Sequence, residues 1–144
     1  VPIHMAYNVT AVDKSGAFIT AFLAPDKEPI IRPLPIAANH QGQVDWHNYA
    51  RFTSTLERER FIYFRLREQG MTAEKMVQCF LRAPLYTTAY DHGFGTLYTS
   101  VYDPVKGQGR FVWPDGDLVQ TLEKFTEGVR HQSFVPPGIK SAAY

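Results

Sequence analysis

The sequence has almost no net charge. Fifteen Lys and Arg residues oppose 14 Asp and Glu residues, and the formal net charge is +1. Without a field of one sign, neither nucleic acid nor an anionic membrane is attracted, and we expect neither as a partner. The sequence also lacks an apolar run that approaches the roughly 20 residues of a membrane-spanning helix.

Cysteine is nearly absent too. Cys79 is the only one, so no intrachain disulfide forms and a secreted, disulfide-stapled fold is excluded. No segment at the start has the charged and apolar regions of a signal peptide. These observations are compatible with a reducing compartment, and we predict the cytoplasm. The five histidines show no metal-ligand spacing, so we predict neither a metal nor another cofactor.

The apolar fraction is sufficient for a core. Hydrophobic residues make up 44% of the 144 residues, which suits one ordinary domain. No internal repeat or low-complexity tract divides the chain. We therefore predict a single domain over residues 1–144, with an extended tail over about 126–144 that contains Pro136-Pro137-Gly138.

Two hairpins are predicted from turn chemistry. Asp13-Lys-Ser-Gly16 separates β-prone residues 4–12 from residues 17–24, and Lys106-Gly-Gln-Gly109 separates residues 95–103 from residues 110–113. Between them, Ile30-Ile31 suggests a short edge strand among prolines. Residues 36–39 are predicted to form a brief buried strand. Beyond Trp113 the pattern weakens, and no further strand is predicted.

Two helices are predicted between the hairpins. Asp45 is the candidate N-cap of a helix that reaches about Gln69, and Thr72 opens a second helix that reaches about Leu81. Cys79 lies among apolar residues of the second helix and is predicted to be buried. Because tight hairpins force antiparallel neighbours, the predicted fold class is α+β, an antiparallel sheet with a helical layer.

A succession of short motifs carries a family resemblance. The motifs are Ala6-Tyr-Asn-Val-Thr10, Asn39-His40, Thr55-Leu-Glu-Arg58 and Gly95-Thr-Leu-Tyr-Thr-Ser-Val-Tyr-Asp-Pro104. In this order, residues 5–113 resemble the penicillin acyltransferase branch of the N-terminal nucleophile hydrolases, a branch related to the choloylglycine hydrolases. The resemblance implies the C-terminal portion of an αββα sandwich in a self-cleaving acyltransferase or amidase that acts on linear amide bonds.

The same resemblance implies a partner. The family's nucleophile is an N-terminal Cys freed by self-cleavage, whereas Val1 stands first here. We therefore expect an N-terminal segment or subunit to carry the Cys, and a small-molecule amide or thioester to be the substrate. The thiolate attacks the carbonyl, and its own α-amino group takes up the proton. The alternative is a noncatalytic module that keeps the fold and binds a ligand or a protein; a homo-oligomer is left open.

The candidate site residues follow from the motifs. Asn39 matches the family's active-site Asn, whose amide would donate to an oxyanion, whereas the composition of Asn-His-Gln-Gly taken alone indicates a turn. Arg58 matches the active-site Arg that orients the nucleophile. A solvated arginine is the alternative, because a helical wheel places Arg60 on the apolar side instead. Asn8, His40 and Arg60 are the candidate substrate-binding residues.

Overall fold

The structure is a computed structural model that describes residues 4–134, except for the side chain of Tyr49. The chain divides into two compact units, Val1–Met71 and Thr72–Tyr144. Every described strand pair is antiparallel, and helices occur in both units. The predicted α+β class is confirmed at this level. The prediction of a single domain over the whole chain stays a prediction.

The described part of the first unit contains three strands and two helices. They are β1 (Tyr7–Val12), β2 (Phe18–Leu23), β3 (Ile30–Arg32), α1 (His47–Thr53) and α2 (Thr55–Arg65). The strands form one sheet in the order β1-β2-β3. Both the first hairpin and the short edge strand are therefore confirmed.

Asp13 forms the turn of the first hairpin through its side chain. Its Oδ1 accepts hydrogen bonds from the backbone N–H groups of Ser15 at 2.8 Å and Ala17 at 3.1 Å. The Ser15 hydroxyl also donates to it at 2.6 Å. This hydroxyl, with the backbone donors, lowers the pKa of Asp13 below its ordinary value. The turn residue thus fixes the register from its own local chemistry.

Residues 36–39 do not form the predicted strand. Two of their backbone groups bond to side chains rather than to a neighbouring strand. The carbonyl of Ala38 accepts from the side chain of Asn8, and the N–H of Asn39 donates to Thr55. This segment is irregular because side chains replace its ladder hydrogen bonds.

The helix predicted from Asp45 to Gln69 is two helices. Ser54 separates α1 from α2 and adopts a left-handed conformation, with φ 50° and ψ 35°. Asp45 does accept a hydrogen bond from the N–H of His47 at 3.1 Å, but the second helix already ends at Arg65. The break matters for the site, because it starts a new helix at Thr55.

The first two turns of α2 place polar residues on the inward side. Thr55 is fully buried, and Arg58 and Glu59 are half-buried one turn later. Apolar residues on other sides of the helix are exposed, with Leu56 at 50% and Tyr63 at 44%. The helical wheel assumed that the apolar side faces inward. That assumption is wrong here, and it had favoured Arg60 over Arg58.

The second unit contains the remaining described elements. They are α3 (Ala73–Cys79), β4 (Thr88–Ala89), a 3-10 turn (Tyr90–His92), β5 (Phe94–Gly95), β6 (Thr99–Asp103), β7 (Gln108–Trp113) and β8 (Gly116–Thr121). The second hairpin is confirmed as β6 and β7, which pair with β8 in the order β6-β7-β8. Strand β8 was missed, although Pro114-Asp-Gly116 before it is a recognisable turn.

Residues from α3, from β7 and from the segment between α3 and β4 supply buried side chains in the second unit. Val77, Cys79, Leu85, Tyr86 and Val112 are each at most 8% exposed. Burial and a hydrogen bond to the Tyr90 hydroxyl raise the pKa of Tyr86. The prediction that Cys79 is buried is confirmed.

The structure describes only part of the predicted tail. Residues 126–134 have neither helix nor strand, and residues 135–144 lie outside the described residues. In the described range, no helix is long and apolar enough to cross a membrane.

Candidate active site

Asn39 and Arg58, the two predicted catalytic residues, lie next to each other. Nη1 of Arg58 donates a hydrogen bond to Oδ1 of Asn39 at 3.3 Å. Because a guanidinium group only donates, the amide oxygen of Asn39 must face Arg58. The Nδ2 group of Asn39 therefore points elsewhere, and within residues 4–134 it has no hydrogen-bond acceptor.

Thr55 holds the backbone of Asn39. Its hydroxyl oxygen accepts a hydrogen bond from the N–H of Asn39 at 2.9 Å. Nδ1 of His40 lies 3.1 Å from the same oxygen. Thr55 occupies the first position of α2 and is 0% exposed. The start of the helix therefore positions two successive residues of the irregular segment.

His40 is held through both ring nitrogens. Its Nε2 lies 3.2 Å from Oε2 of Glu59, and the His40 side chain is only 14% exposed. In a neutral ring that donates from Nε2 to this carboxylate, Nδ1 accepts the Thr55 hydroxyl hydrogen. The ring of Trp46 lies beside it, with the centroids 4.7 Å apart. His40 therefore acts here as a structural link between the segment and α2.

Asn8 is a second side chain that connects the irregular segment to a regular element, here β1. Its Nδ2 donates to the carbonyls of Ala38 and His40, the latter at 2.9 Å. Its Oδ1 accepts from Nε2 of Gln41 at 3.1 Å. Both ends of this amide are engaged inside the protein. Asn8 thus connects β1 to the segment that carries Asn39, as a buried hydrogen-bonding residue would.

Gln41 connects the irregular segment to the end of the first hairpin that is farthest from its turn. Its Nε2 lies 3.2 Å from the carbonyl oxygen of Tyr7 and 3.0 Å from that of Leu23, two residues paired across β1 and β2. Gln41 is only 5% exposed, and its Oε1 has no partner among the described residues.

We refer to the connected side chains as the Asn39 cluster: Asn8, Asn39, His40, Gln41, Thr55, Arg58 and Glu59. Thr55 belongs to the motif Thr55-Leu-Glu-Arg58, but no role in the site was predicted for it from the sequence. Glu59 and Gln41 were missed, since neither has a distinctive local pattern. Arg60 is not part of the cluster; it is exposed, and its guanidinium carbon lies 5.6 Å from the ring centroid of Phe64.

A pocket of about 420 Å³ adjoins the cluster. It lies at the start of β1, against the irregular segment. Its lining residues are Ala6, Tyr7, Asn8, Ala37, Ala38, Asn39, Gln41 and Val44. Asn39 is exposed, so its outward Nδ2 group is accessible to a bound molecule. The pocket thus offers space beside a neutral hydrogen-bond donor.

The arrangement provides hydrogen-bond donors rather than metal ligands. In residues 4–134, no three His, Cys, Asp or Glu side chains are grouped to hold a metal ion. No protein-family model, curated protein or solved structure matches the chain. The motifs and the geometry of the Asn39 cluster are therefore the features that indicate a function.

Proposed function

We propose that this chain is the C-terminal part of an acyltransferase or amide hydrolase of the N-terminal nucleophile type. Its units would then belong to an αββα sandwich completed by a segment with an N-terminal Cys. The observation that carries the proposal is the orientation of the Asn39 amide. Arg58 binds its oxygen, so its N–H groups are directed away from Arg58.

Such an amide is suited to bind an oxyanion. When a thiolate adds to an amide carbonyl, negative charge develops on the carbonyl oxygen, and a neutral donor already in place stabilises it. Asn39 is held by Thr55 at its backbone and by Arg58 at its side chain. Little reorganisation is therefore needed when the charge develops.

Arg58 has a positioning role in this scheme. It cannot accept a proton at neutral pH, so it does not serve as the general base. Its Nε is buried without a partner among the described residues. The positive charge beside Asn39 also favours a nearby anion, whether the developing oxyanion or the carboxylate product.

The nucleophile would come from the partner segment. The Thr55 hydroxyl contacts Asn39, but it cannot serve as the nucleophile because Thr55 is 0% exposed and its oxygen already accepts the Asn39 N–H. In the proposed reaction, the α-amino group of the partner's Cys accepts the thiol proton and later returns it to the leaving amine. Water then releases the acyl group in hydrolysis, and an acceptor amine does so in transfer.

The decisive experiment combines the chain with a segment encoded upstream of Val1 and processed to begin with Cys. Acyl amides and thioesters serve as substrates, with a thiol-reactive inhibitor as control. We expect turnover only from the combined protein. A correctly assembled pair that binds these compounds without turnover would instead support the noncatalytic binding module.

A second experiment tests anion binding at Asn39 and uses this chain alone. Titration with acetate or phenylacetate, followed by NMR, is expected to shift the side-chain NH₂ resonances of Asn39. Asn48 is exposed on α1 and provides an internal control in the same spectra. Equal shifts at Asn48 and Asn39 would contradict an oriented anion-binding amide.

A further inference from the structure

The two edges of the first sheet differ in their protection against pairing. Strand β3 has only three residues, ends in Arg32 and is bracketed by Pro29 and Pro33. Strand β1 has six residues and contains no proline or charged residue. Natural sheets commonly protect an edge with short strands, charges or prolines. The β3 edge of this sheet has these features, and the β1 edge lacks them.

The β1 edge presents backbone groups that have no partner among residues 4–134. Asp13 donates its N–H to the carbonyl of Ala17 at 3.0 Å, which places a bonded pair just beyond β1. Bonds alternate along an antiparallel ladder, so the odd-numbered residues of β1 bond to β2. The even-numbered residues Asn8, Thr10 and Val12 direct their backbone groups outward. No strand within residues 4–134 pairs with this edge.

We propose that β1 pairs with β1 of a second copy of this chain. The two strands run antiparallel about a two-fold axis at Thr10 and join both sheets into one of six strands. Thr10 then lies opposite the partner's Thr10, and each bonds to the other through outward N–H and carbonyl groups. Val9 lies opposite the partner's Ala11.

The strand is complementary to itself. At this register, Thr10 meets its own copy on one face, and small apolar side chains meet on the other, pairings that stabilise antiparallel strands. No charged residue of β1 meets another. The net charge of +1 also adds little repulsion between two copies. Val9 is 46% exposed and Val12 is 50% exposed, so both remain accessible to a partner.

The test begins with sedimentation analysis of the full chain, in which we expect a reversible dimer. Thr10→Pro removes an outward N–H and leaves the bonds between β1 and β2 in place. This variant is expected to weaken dimerisation about tenfold or more. The matched control is Thr10→Val, which loses the hydroxyl bond to Thr20 but keeps the backbone N–H. It should dimerise like the original protein.

A second pair of variants identifies the interface. Val9→Lys brings like charges together near the two-fold axis and should give a monomer. Ile31→Lys changes the same face on β3, where the side chain is 61% exposed, and should leave the dimer intact. Circular dichroism verifies that each variant is folded. A monomeric original protein, a dimer that survives Thr10→Pro or Val9→Lys, or dissociation by Ile31→Lys would each overturn the proposal.

Discussion

At the scale of single residues, Asn39 is held at two separate points. Thr55 binds its backbone N–H, and Arg58 binds its side-chain oxygen. Neither contact uses the Nδ2 group. A residue that only completed a turn would need no such support from a helix 16 residues further along the chain. This geometry is the basis of the proposed oxyanion role.

In the proposed enzyme, formed by this chain and the Cys segment, Asn39→Ala is expected to lower kcat by roughly a hundredfold or more, the usual loss when one oxyanion donor is removed. Folding should survive, because Asn39 is exposed and its backbone bond to Thr55 remains. Steady-state kinetics measure the loss. Asn48→Ala on α1 is the matched control and should keep normal turnover. Near-normal kcat in Asn39→Ala would return Asn39 to the turn interpretation.

At the scale of elements, the first turn has a charge that stabilises it. The Ser15 hydroxyl and three backbone N–H groups lower the pKa of Asp13 from its ordinary value of 3.8. A lowered pKa means that the ionised carboxylate is favoured in the folded hairpin. Its contribution to stability is present above the ordinary value and is lost as the pH falls through the lowered one.

Ser15→Ala is therefore expected to raise the pKa of Asp13 back toward 3.8, because the hydroxyl bond is the largest cause of the shift. NMR titration of the Asp13 carboxyl measures the change. Ser100→Ala on β6 serves as the control and should leave the titration of Asp13 unaltered. An unchanged pKa in Ser15→Ala would show that the backbone N–H groups alone hold the carboxylate.

Gly95 in β5 packs directly against the ring of Tyr90. A Cβ at this position would lie 1.8 Å from Cδ1 of that ring. The Tyr90 hydroxyl is anchored to the carbonyl of Thr96 at 2.8 Å, which opposes movement of the ring. Gly95→Ala should reduce the free energy of unfolding by roughly 1–3 kcal/mol, as overpacking does. Urea denaturation measures it, and Gly128→Ala, which meets open space, is the control.

The elements that were predicted correctly depend on local chemistry. Asp13 and Gly16 define the first turn within four residues, and Thr72 caps α3 through its own hydroxyl. Residues 36–39 were misjudged because their partners are distant in the chain. The inward side of α2 was misjudged because Thr55 and its neighbours place polar groups where a periodic pattern expects apolar ones.

The candidate site was predictable only in part for the same reason. The motifs indicated Asn39 and Arg58, and the structure places these residues in contact. Gln41 reaches residues 18 to 34 positions away, and no local pattern marks such contacts. Glu59 has a recognisable role only once His40 is seen beside it.

At the scale of the whole molecule, the labelling rate of the single thiol measures whether the chain is folded around it. Cys79 is 2% exposed, so thiol reagents should label the native chain slowly and label it stoichiometrically in guanidinium. Ellman's reagent measures both rates. A Ser100→Cys variant adds an exposed thiol and should react at once. Rapid labelling of Cys79 in the native chain would contradict the described burial. Slow labelling allows a reactive Cys of the partner segment to be distinguished in the combined protein.

The left-handed Ser54 also has an electrostatic consequence. A continuous helix through this position would bond its backbone N–H groups internally, whereas the break gives α2 an N-terminus of its own. The Ser54 side chain makes no capping hydrogen bond at this end, and Thr55 at the first helical position contacts Asn39. The aligned peptide dipoles of α2 place partial positive charge there. One residue in an unusual conformation thus places the positive end of an 11-residue helix beside Asn39.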